Sequence, residues 1–464
     1  MTFNSLHFLV FFMVVTLWFF RLQRQNSRIL LLLIASCYFY MALIPEYILI
    51  LGGTIVVDYF AGIQIENSDG TSRRFWLITS LIANIGVLAV FKYYNFFIDN
   101  IQTAFHFMGK QYSLPILKMA LPIGLSFHTF QAMSYTIEVY RKRQAAERNF
   151  STYALYVMFY PQLVAGPIER PQNVLPQLKE FRPYNWDNVK EGLARMLWGF
   201  FKKAVIADRL AMVVERTFVH SNESSSLALF IGAIFYSFQI YCDFSGYSDI
   251  ALGAAKVMNI GLMENFNQPY LSPNITNFWS RWHISLSSWF RDYLYIPLGG
   301  NRKGELRRKL NVFIVFLLSG LWHGANWTFI FWGVLHGLMV IFLPGIIDKK
   351  ADVRPAIERT LWIVANFIIV TFLWIFFRSP NVGFALDYIG KILHFSGGSN
   401  YVGINRVELV FSVLLIAIML WREKFLPRHF ITSDRMFYVY TACMVPICYF
   451  FGVFIENQFI YFQF

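Results

Sequence analysis

Apolar residues along this chain run in long continuous blocks separated by short charged links. Strands of a membrane barrel would alternate apolar and polar positions with a period of two, and these blocks do not. Helices are then the remaining way to satisfy every backbone N–H and C=O inside a bilayer. The blocks predict spanning or embedded helices near 5–20, 29–44, 46–64, 75–98, 115–140, 151–165, 191–218, 226–258, 309–322, 326–345, 358–378, 405–421 and 436–455. The 151–165 segment is short for a span of roughly twenty residues and reads as re-entrant. Pro115, Pro122 and Gly124 predict that 115–140 is a broken helix lining a protein-enclosed cavity. With no internal repeat, low-complexity tract or soluble domain, residues 1–464 read as one integral membrane domain with a motif-rich core at 153–337.

Composition agrees with the pattern. The chain is 56% hydrophobic and 19% aromatic with only 14% charged residues, which places it among polytopic helical membrane proteins. Arg21, Arg24 and Arg28 follow the first apolar block, whereas a cleaved secretory signal carries its positive charge in front. The expectation is an uncleaved first helix with its N terminus outside and its basic flank in the cytoplasm. Arg141-Lys142-Arg143, Arg302 to Lys309 and Lys349-Lys350 then face the cytoplasm too. The net charge of +13 is read mainly as orienting the protein and meeting anionic lipid head groups. A sharper reading has some of these residues attract an anionic nucleotide substrate. Nucleic acid is not an expected partner, because the basic residues lie in short links between spans. Cys37, Cys242, Cys443 and Cys448 all fall in apolar segments without a CxxC pair, so neither a zinc site nor a disulfide framework is expected.

Two histidines carry the candidate chemistry. His323 ends an apolar run in Leu318-Ser319-Gly320-Leu321-Trp322-His323-Gly324-Ala325-Asn326-Trp327. An ionisable group at membrane depth is a functional-site hypothesis by default, and imidazole exchanges protons near neutral pH. His283 lies in Phe278-Trp279-Ser280-Arg281-Trp282-His283-Ile284-Ser285. Segment 274–297 predicts an amphipathic interfacial helix started by Asn274 or Thr276 and ended by Pro297-Leu298-Gly299-Gly300. Phe278, Trp282, Leu286, Phe290 and Tyr293/Leu294 recur on one side, with Arg281, Ser285, Ser288 and Asp292 on the other. The plainer alternative is an aromatic anchor whose histidine only bonds a neighbour. In Tyr241 to Asp249, the carboxylates Asp243 and Asp249 are expected to face a partner or a water-filled cavity, an arginine such as Arg281 or Arg291 being the candidate partner. A metal held by Asp243, His283 and His323 lacks any local ligand spacing, and no metal is expected.

Taken together, Gly166-Pro167-Ile168-Glu169-Arg170, Tyr241 to Gly253, Trp279-Ser280-Arg281-Trp282-His283-Ile284-Ser285-Leu286, Trp289-Phe290-Arg291-Asp292-Tyr293 and Leu321-Trp322-His323-Gly324 resemble the membrane-bound O-acyltransferase (MBOAT) superfamily. The continuation Tyr295-Ile296-Pro297-Leu298-Gly299-Gly300-Asn301-Arg302 is more similar to its bacterial alginate O-acetyltransferase branch than to the D-alanyl-transferring branch, which shares the Arg-Trp-His and Trp-His-Gly elements. Ser280 departs from the pattern, since relatives commonly carry arginine there.

The resemblance implies an all-α polytopic membrane protein: a ring of about 11 transmembrane helices, with re-entrant and interfacial helices, around a central tunnel. It implies a catalytic role for His323 and a second catalytic position at His283. Substrate contacts are implied for Trp279, Arg281, Trp282, Asp243, Ser319, Trp322 and Asn326. The implied donor is acetyl-CoA, met near Arg302, Lys303 and Arg307 without a Gly-rich phosphate loop, and no cofactor is held permanently. The implied acceptor is an exported polysaccharide. It is reached through a periplasmic partner of the serine-esterase type, because the chain has no G-x-S-x-G elbow for that second step. The implied location is the bacterial cytoplasmic (inner) membrane. D-alanyl, lipid or protein O-acylation are alternatives within the superfamily. A proton-coupled transporter is the alternative from another class, favoured by broken helices and intramembrane aspartates, but it gives the Trp-His-Gly element no role.

Overall fold

The computed structural model describes all residues except 2, 4, 43, 111–113, 118–121, 165, 344–354, 428–429, 455–458 and 461–464. The expected Lys349-Lys350 link lies outside the described residues. The described chain is helical, with no strand beyond an isolated parallel bridge between Ser224 and Ser399. Tyr47–Asn67, Gly70–Phe107, Ser226–Val257 and Ala356–Arg378 are long and apolar enough to cross a membrane, and Leu6–Arg21 and Trp327–Phe342 are shorter apolar helices. On Leu6–Arg21 the exposed Leu6, Val10, Met13 and Leu17 form a face as apolar as the buried one made by Phe8, Phe12, Val15 and Phe19. A helix apolar on every side needs lipid or protein all round it, and this is a multi-pass membrane protein.

The chain divides into two compact units. The first comprises Met1–Leu193 and Ile250–Met263. Its helices Tyr47–Asn67, Gly70–Leu88 and Leu125–Tyr140 pack together around a buried polar cluster. There Asp58 accepts from Ser80 Oγ at 2.6 Å and from Asn84 Nδ2 at 2.8 and 2.9 Å. Gly62 permits this packing, since a Cβ there would come within 2.6 Å of the Tyr135 ring. The helix expected over 115–140 begins only at Leu125, after Gly124 at φ +77°, and residues 118–121 lie outside the description. The 151–165 segment forms two short helices, Phe150–Met158 and Tyr160–Leu163, interrupted at Phe159.

The basic flank of the first helix is partly structural. Arg28 is buried, donates to the carbonyls of Leu22 at 3.0 Å and Arg182 at 2.5 Å, and lies over the rings of Phe19 and Phe181. The lipid-facing reading of the positive charge therefore does not extend to this residue.

The second unit comprises Ala194–Asp249 and Glu264–Phe464 and contains every candidate site residue. The expected 191–218 helix passes through a π-turn at Phe201–Ala207, which brings the successive Lys202 and Lys203 against Ser226–Val257. Gly246 allows the approach, because a Cβ there would sit 2.8 Å from the Gly199 carbonyl. Glu305–His323 and Trp327–Phe342 form an antiparallel hairpin whose crossing is built on glycine. A Cβ on Gly320 would collide with the Phe329 carbonyl, and one on Gly333 with the Phe316 carbonyl.

The predicted 274–297 helix is corrected to Ile275–Trp279, a turn, Ile284–Phe290 and a π-turn at Arg291–Tyr295. Asn274 caps the first piece as expected, accepting from Asn277 N at 2.8 Å. The break falls at His283, whose φ of +43° lies in the left-handed region that a helix interior cannot use. Two helices, Pro171–Lys179 and Val382–Leu393, fall outside the predicted blocks, since they are short and amphipathic rather than continuously apolar.

Candidate active site

His323 is the last residue of Glu305–His323, and Gly324 caps it. Gly324 has to lack a side chain, because a Cβ would run into the Phe329 ring. The buried imidazole meets Trp322, Trp332 and Phe377 at ring-centroid distances of 4.9, 5.0 and 5.3 Å, each edge to face. Ser319, one turn earlier on the same face, is buried as well.

His283 is buried at the turn between two short helices and is fixed by Asn265. Asn265 Oδ1 takes hydrogen bonds from Ser285 Oγ at 2.9 Å and Ser285 N at 3.3 Å, and lies 3.1 Å from His283 Nδ1. The Asn265 carbonyl accepts from Ile284 N at 2.9 Å, so backbone and side chain together hold the left-handed turn. With the amide oxygen as acceptor, the proton is assigned to His283 Nδ1, and Nε2 carries the lone pair. The His283 ring meets Phe244 at 4.7 Å and Trp322 at 6.1 Å. The two predicted histidines thus abut the same indole.

Other predicted positions have varied surroundings. Trp279 donates its Nε1–H to His336 Nδ1 at 3.2 Å and packs on Phe316 and Trp332. Trp282 is fully buried in an aromatic cluster with Phe266, Tyr270, Phe278 and Trp374. Arg281 is half-buried, and its carbonyl accepts from Asn267 N at 2.9 Å. Asn326 caps Trp327–Phe342 through Thr328 N at 3.0 Å and donates to the Pro380 carbonyl at 3.0 Å, a fixed scaffold role. Arg302, Lys303 and Arg307 are exposed at the start of the helix that ends in His323. Its 19 residues separate the two ends by about 28 Å.

The aspartates are partnered, but not by the expected arginines. Asp243 meets Lys203 at 2.6 Å and accepts from Ile460 N at 2.9 Å. Asp249 meets Lys202 at 2.5 Å and Arg195 at 2.9 Å, while Arg291 turns to its neighbour Asp292 at 2.8 Å. Lysines one and two positions into a π-turn were closer in space than any arginine of the motif region. Among the described residues no three His, Cys, Asp or Glu side chains converge as metal ligands.

Sequence reasoning missed Asn265, the Lys202–Lys203 pair and His336. The last had a usable signal: Leu335-His336-Gly337 puts a histidine inside an apolar block, the same criterion that singled out His323.

Residues 88–381 match the family described as MBOAT, membrane-bound O-acyltransferase family. The chain belongs to the membrane-bound O-acyltransferase family. The match takes in every candidate site residue named above. Among the relatives of this MBOAT chain is the protein named "Probable alginate O-acetylase AlgI" of Pseudomonas aeruginosa, 38% identical over 434 residues, covering 91% of this chain and 82% of the relative. The peptidoglycan O-acetyltransferase of Helicobacter pylori is 36% identical over 405 residues, covering 82% and 74%. The teichoic acid D-alanyltransferase of Bacillus subtilis is 26% identical over 281 residues, covering 59% and 69%.

Proposed function

We propose that this protein is an O-acetyltransferase of the bacterial cytoplasmic (inner) membrane. It takes an acetyl group from acetyl-CoA on the cytoplasmic side and delivers it for O-acetylation of an exported polysaccharide, through a periplasmic serine-esterase-type partner. The architecture that goes with this reading, implied by the family resemblance, is a ring of about 11 transmembrane helices around a tunnel. The observation that carries the reading is the pairing of His283 and His323 against Trp322 inside the family-matched region. The two relatives at 38% and 36% identity are named for O-acetylation, of alginate and of peptidoglycan respectively. A D-alanyl donor rests on relatives of lower identity and shorter coverage and ranks second.

The reaction follows from the two imidazoles. Neutral His323 accepts the proton of an acceptor hydroxyl as its oxygen attacks the thioester carbonyl. The carbon–sulfur bond then breaks, and the departing thiolate takes the proton back from the His323 imidazolium. His283, protonated on Nδ1 toward Asn265, has only a lone pair to offer at Nε2. It therefore receives a hydrogen bond from the acceptor hydroxyl and orients it, rather than donating to the thioester carbonyl. Aromatic walls around His323 keep water from competing as the acceptor.

The test is base-labile acetate on envelope and secreted polysaccharides in cells lacking the gene, complemented with wild type or with His323→Ala at matched membrane abundance. Acetate restored by wild type alone supports the reading. Acetate unchanged across all three strains removes it.

A further inference from the structure

A third buried histidine stands in the same aromatic cluster. His336 is fully buried on Trp327–Phe342, with its ring 4.8 Å from Trp332 and 5.0 Å from Trp279. Trp332 is also the indole that His323 meets at 5.0 Å. An indole N–H can only donate, so the Trp279 bond at 3.2 Å makes His336 Nδ1 the acceptor and fixes the proton on Nε2. That Nε2–H is buried without a hydrogen-bond partner among the described residues. A buried donor left unmade is disfavoured by about 1–3 kcal/mol, so a ligand acceptor at this position would be favoured.

The helix register says where that partner would come from. Gly320 lies against Phe329, Gly333 against Phe316, and Gly337 against Phe316 and Phe313. His336 is therefore level with the stretch around residues 313–316 of the opposite helix. It is displaced from His323, with which it shares the Trp332 ring, toward the end of the hairpin that carries the exposed Arg302, Lys303 and Arg307. The line along the hairpin from those cations to His323 passes the level of His336. The walls there, Trp279, Trp332, Trp374 and Phe278, are aromatic, and His336 Nε2–H stands among them with the indole N–H groups of Trp332 and Trp374, which are likewise buried without a hydrogen-bond partner among the described residues. The thiol arm of coenzyme A is of matching chemistry: methylene pairs separated by two amides, each presenting a carbonyl.

We propose that His336 is a donor-binding residue, giving its Nε2–H to an amide carbonyl of the pantetheine arm, with Trp279 setting the tautomer that makes this possible. This rests on the acyl-thioester reading above. His336 makes or breaks no bond. It fixes how far the arm advances and so where the thioester carbonyl lies relative to His323. A site with a buried donor discriminates against a ligand that lacks the matching acceptor.

The experiment compares two donors on purified full-length protein in lipid nanodiscs, reading thiol release. One is acetyl-CoA; the other is an analogue with the arm amides replaced by ethylene units, retaining the nucleotide and the thioester. The wild type is expected to prefer acetyl-CoA by about tenfold in kcat/KM, the worth of one such hydrogen bond. In His336→Phe the preference disappears, through a rise in KM for acetyl-CoA with little change for the analogue. His336→Gln keeps an N–H donor and retains part of the preference. Should His336→Phe not accumulate, His336→Gln and Trp279→Phe carry the comparison, both with reduced preference. Equal use of the two donors by wild type overturns the assignment. So does a His336→Phe defect of the same size on both, which marks a packing role. No thiol release from acetyl-CoA by wild type instead removes the donor reading itself, and this inference with it.

Discussion

Asn265 Oδ1 lies 3.1 Å from His283 Nδ1, and this contact assigns the proton of the neutral ring to Nδ1. Asn265 lies outside both short helices that flank His283. It holds the left-handed turn at the same time, through Ile284 N and Ser285. Orientation and tautomer of the second histidine are thus set by one amide.

Replacing Asn265 by alanine is expected to lower acetyl transfer about tenfold, the order of one hydrogen bond lost from the orientation of His283. The Ser285 N–H and His283 Nδ1–H also lose their acceptor, which is worth about 1–3 kcal/mol of stability. Asn265→Asp keeps an acceptor and should retain the turn. Thiol release and thermal melting, measured on the same preparations, separate the two effects. Activity lost in direct proportion to folded protein would leave Asn265 a purely structural residue.

His323→Ala and His323→Gln should both reduce acetyl transfer by at least about a hundredfold at unchanged membrane abundance, the usual scale of general-base assistance. The glutamine variant guards against collapse of the aromatic walls, since it fills much of the same space. Transfer persisting near wild-type rate in either variant would displace His323 from the mechanism.

The Lys203–Asp243 pair makes a different kind of prediction. Lys203 bridges Asp243 at 2.6 Å and Asp208 at 2.9 Å, all three side chains being buried. Lys203→Met strands two carboxylates and is expected to destabilise the protein by about 3–5 kcal/mol. The doubly substituted Lys203→Met, Asp243→Leu should recover part of that loss. Fluorescence-detected size-exclusion melting of wild type, Lys203→Met, Asp243→Leu and the double variant gives the answer. A double variant as unstable as the sum of its parts would mean that the pair is not the unit.

Such buried pairs explain where the sequence was and was not legible. Continuous apolar blocks marked most of the helices, because membrane burial leaves its signature on every residue of a span. The motif histidines were visible because polar groups stand out against that background. What stayed hidden depends on the third dimension. A π-turn at Phe201–Ala207 turned two lysines toward Asp243 and Asp249, where periodicity of 3.6 offered no warning. The 274–297 segment carries a good amphipathic pattern on both sides of its break, yet the turn at His283 is imposed by Asn265, a residue eighteen positions away. Pro171–Lys179 and Val382–Leu393 are amphipathic and short, so a search for apolar runs passes over them.

The glycines of the Glu305–His323 and Trp327–Phe342 hairpin give the last prediction. His323 is held at its depth only while the two helices approach backbone to backbone. Gly320 and Gly333 each face a carbonyl oxygen of the opposite helix with no room for a methyl group. Gly337 is less confined, its added Cβ meeting the Phe316 side chain at 3.0 Å, and Gly52 has open space around it. Gly320→Ala and Gly333→Ala should therefore force the helices apart and destabilise by about 1–3 kcal/mol each, Gly337→Ala by less, and Gly52→Ala hardly at all. Because the shift moves His323 relative to Trp332, the first two should also lose activity beyond their loss of folded protein. A melting series in which Gly52→Ala ranks with Gly320→Ala would contradict the close crossing, and with it the account of how this hairpin positions His323.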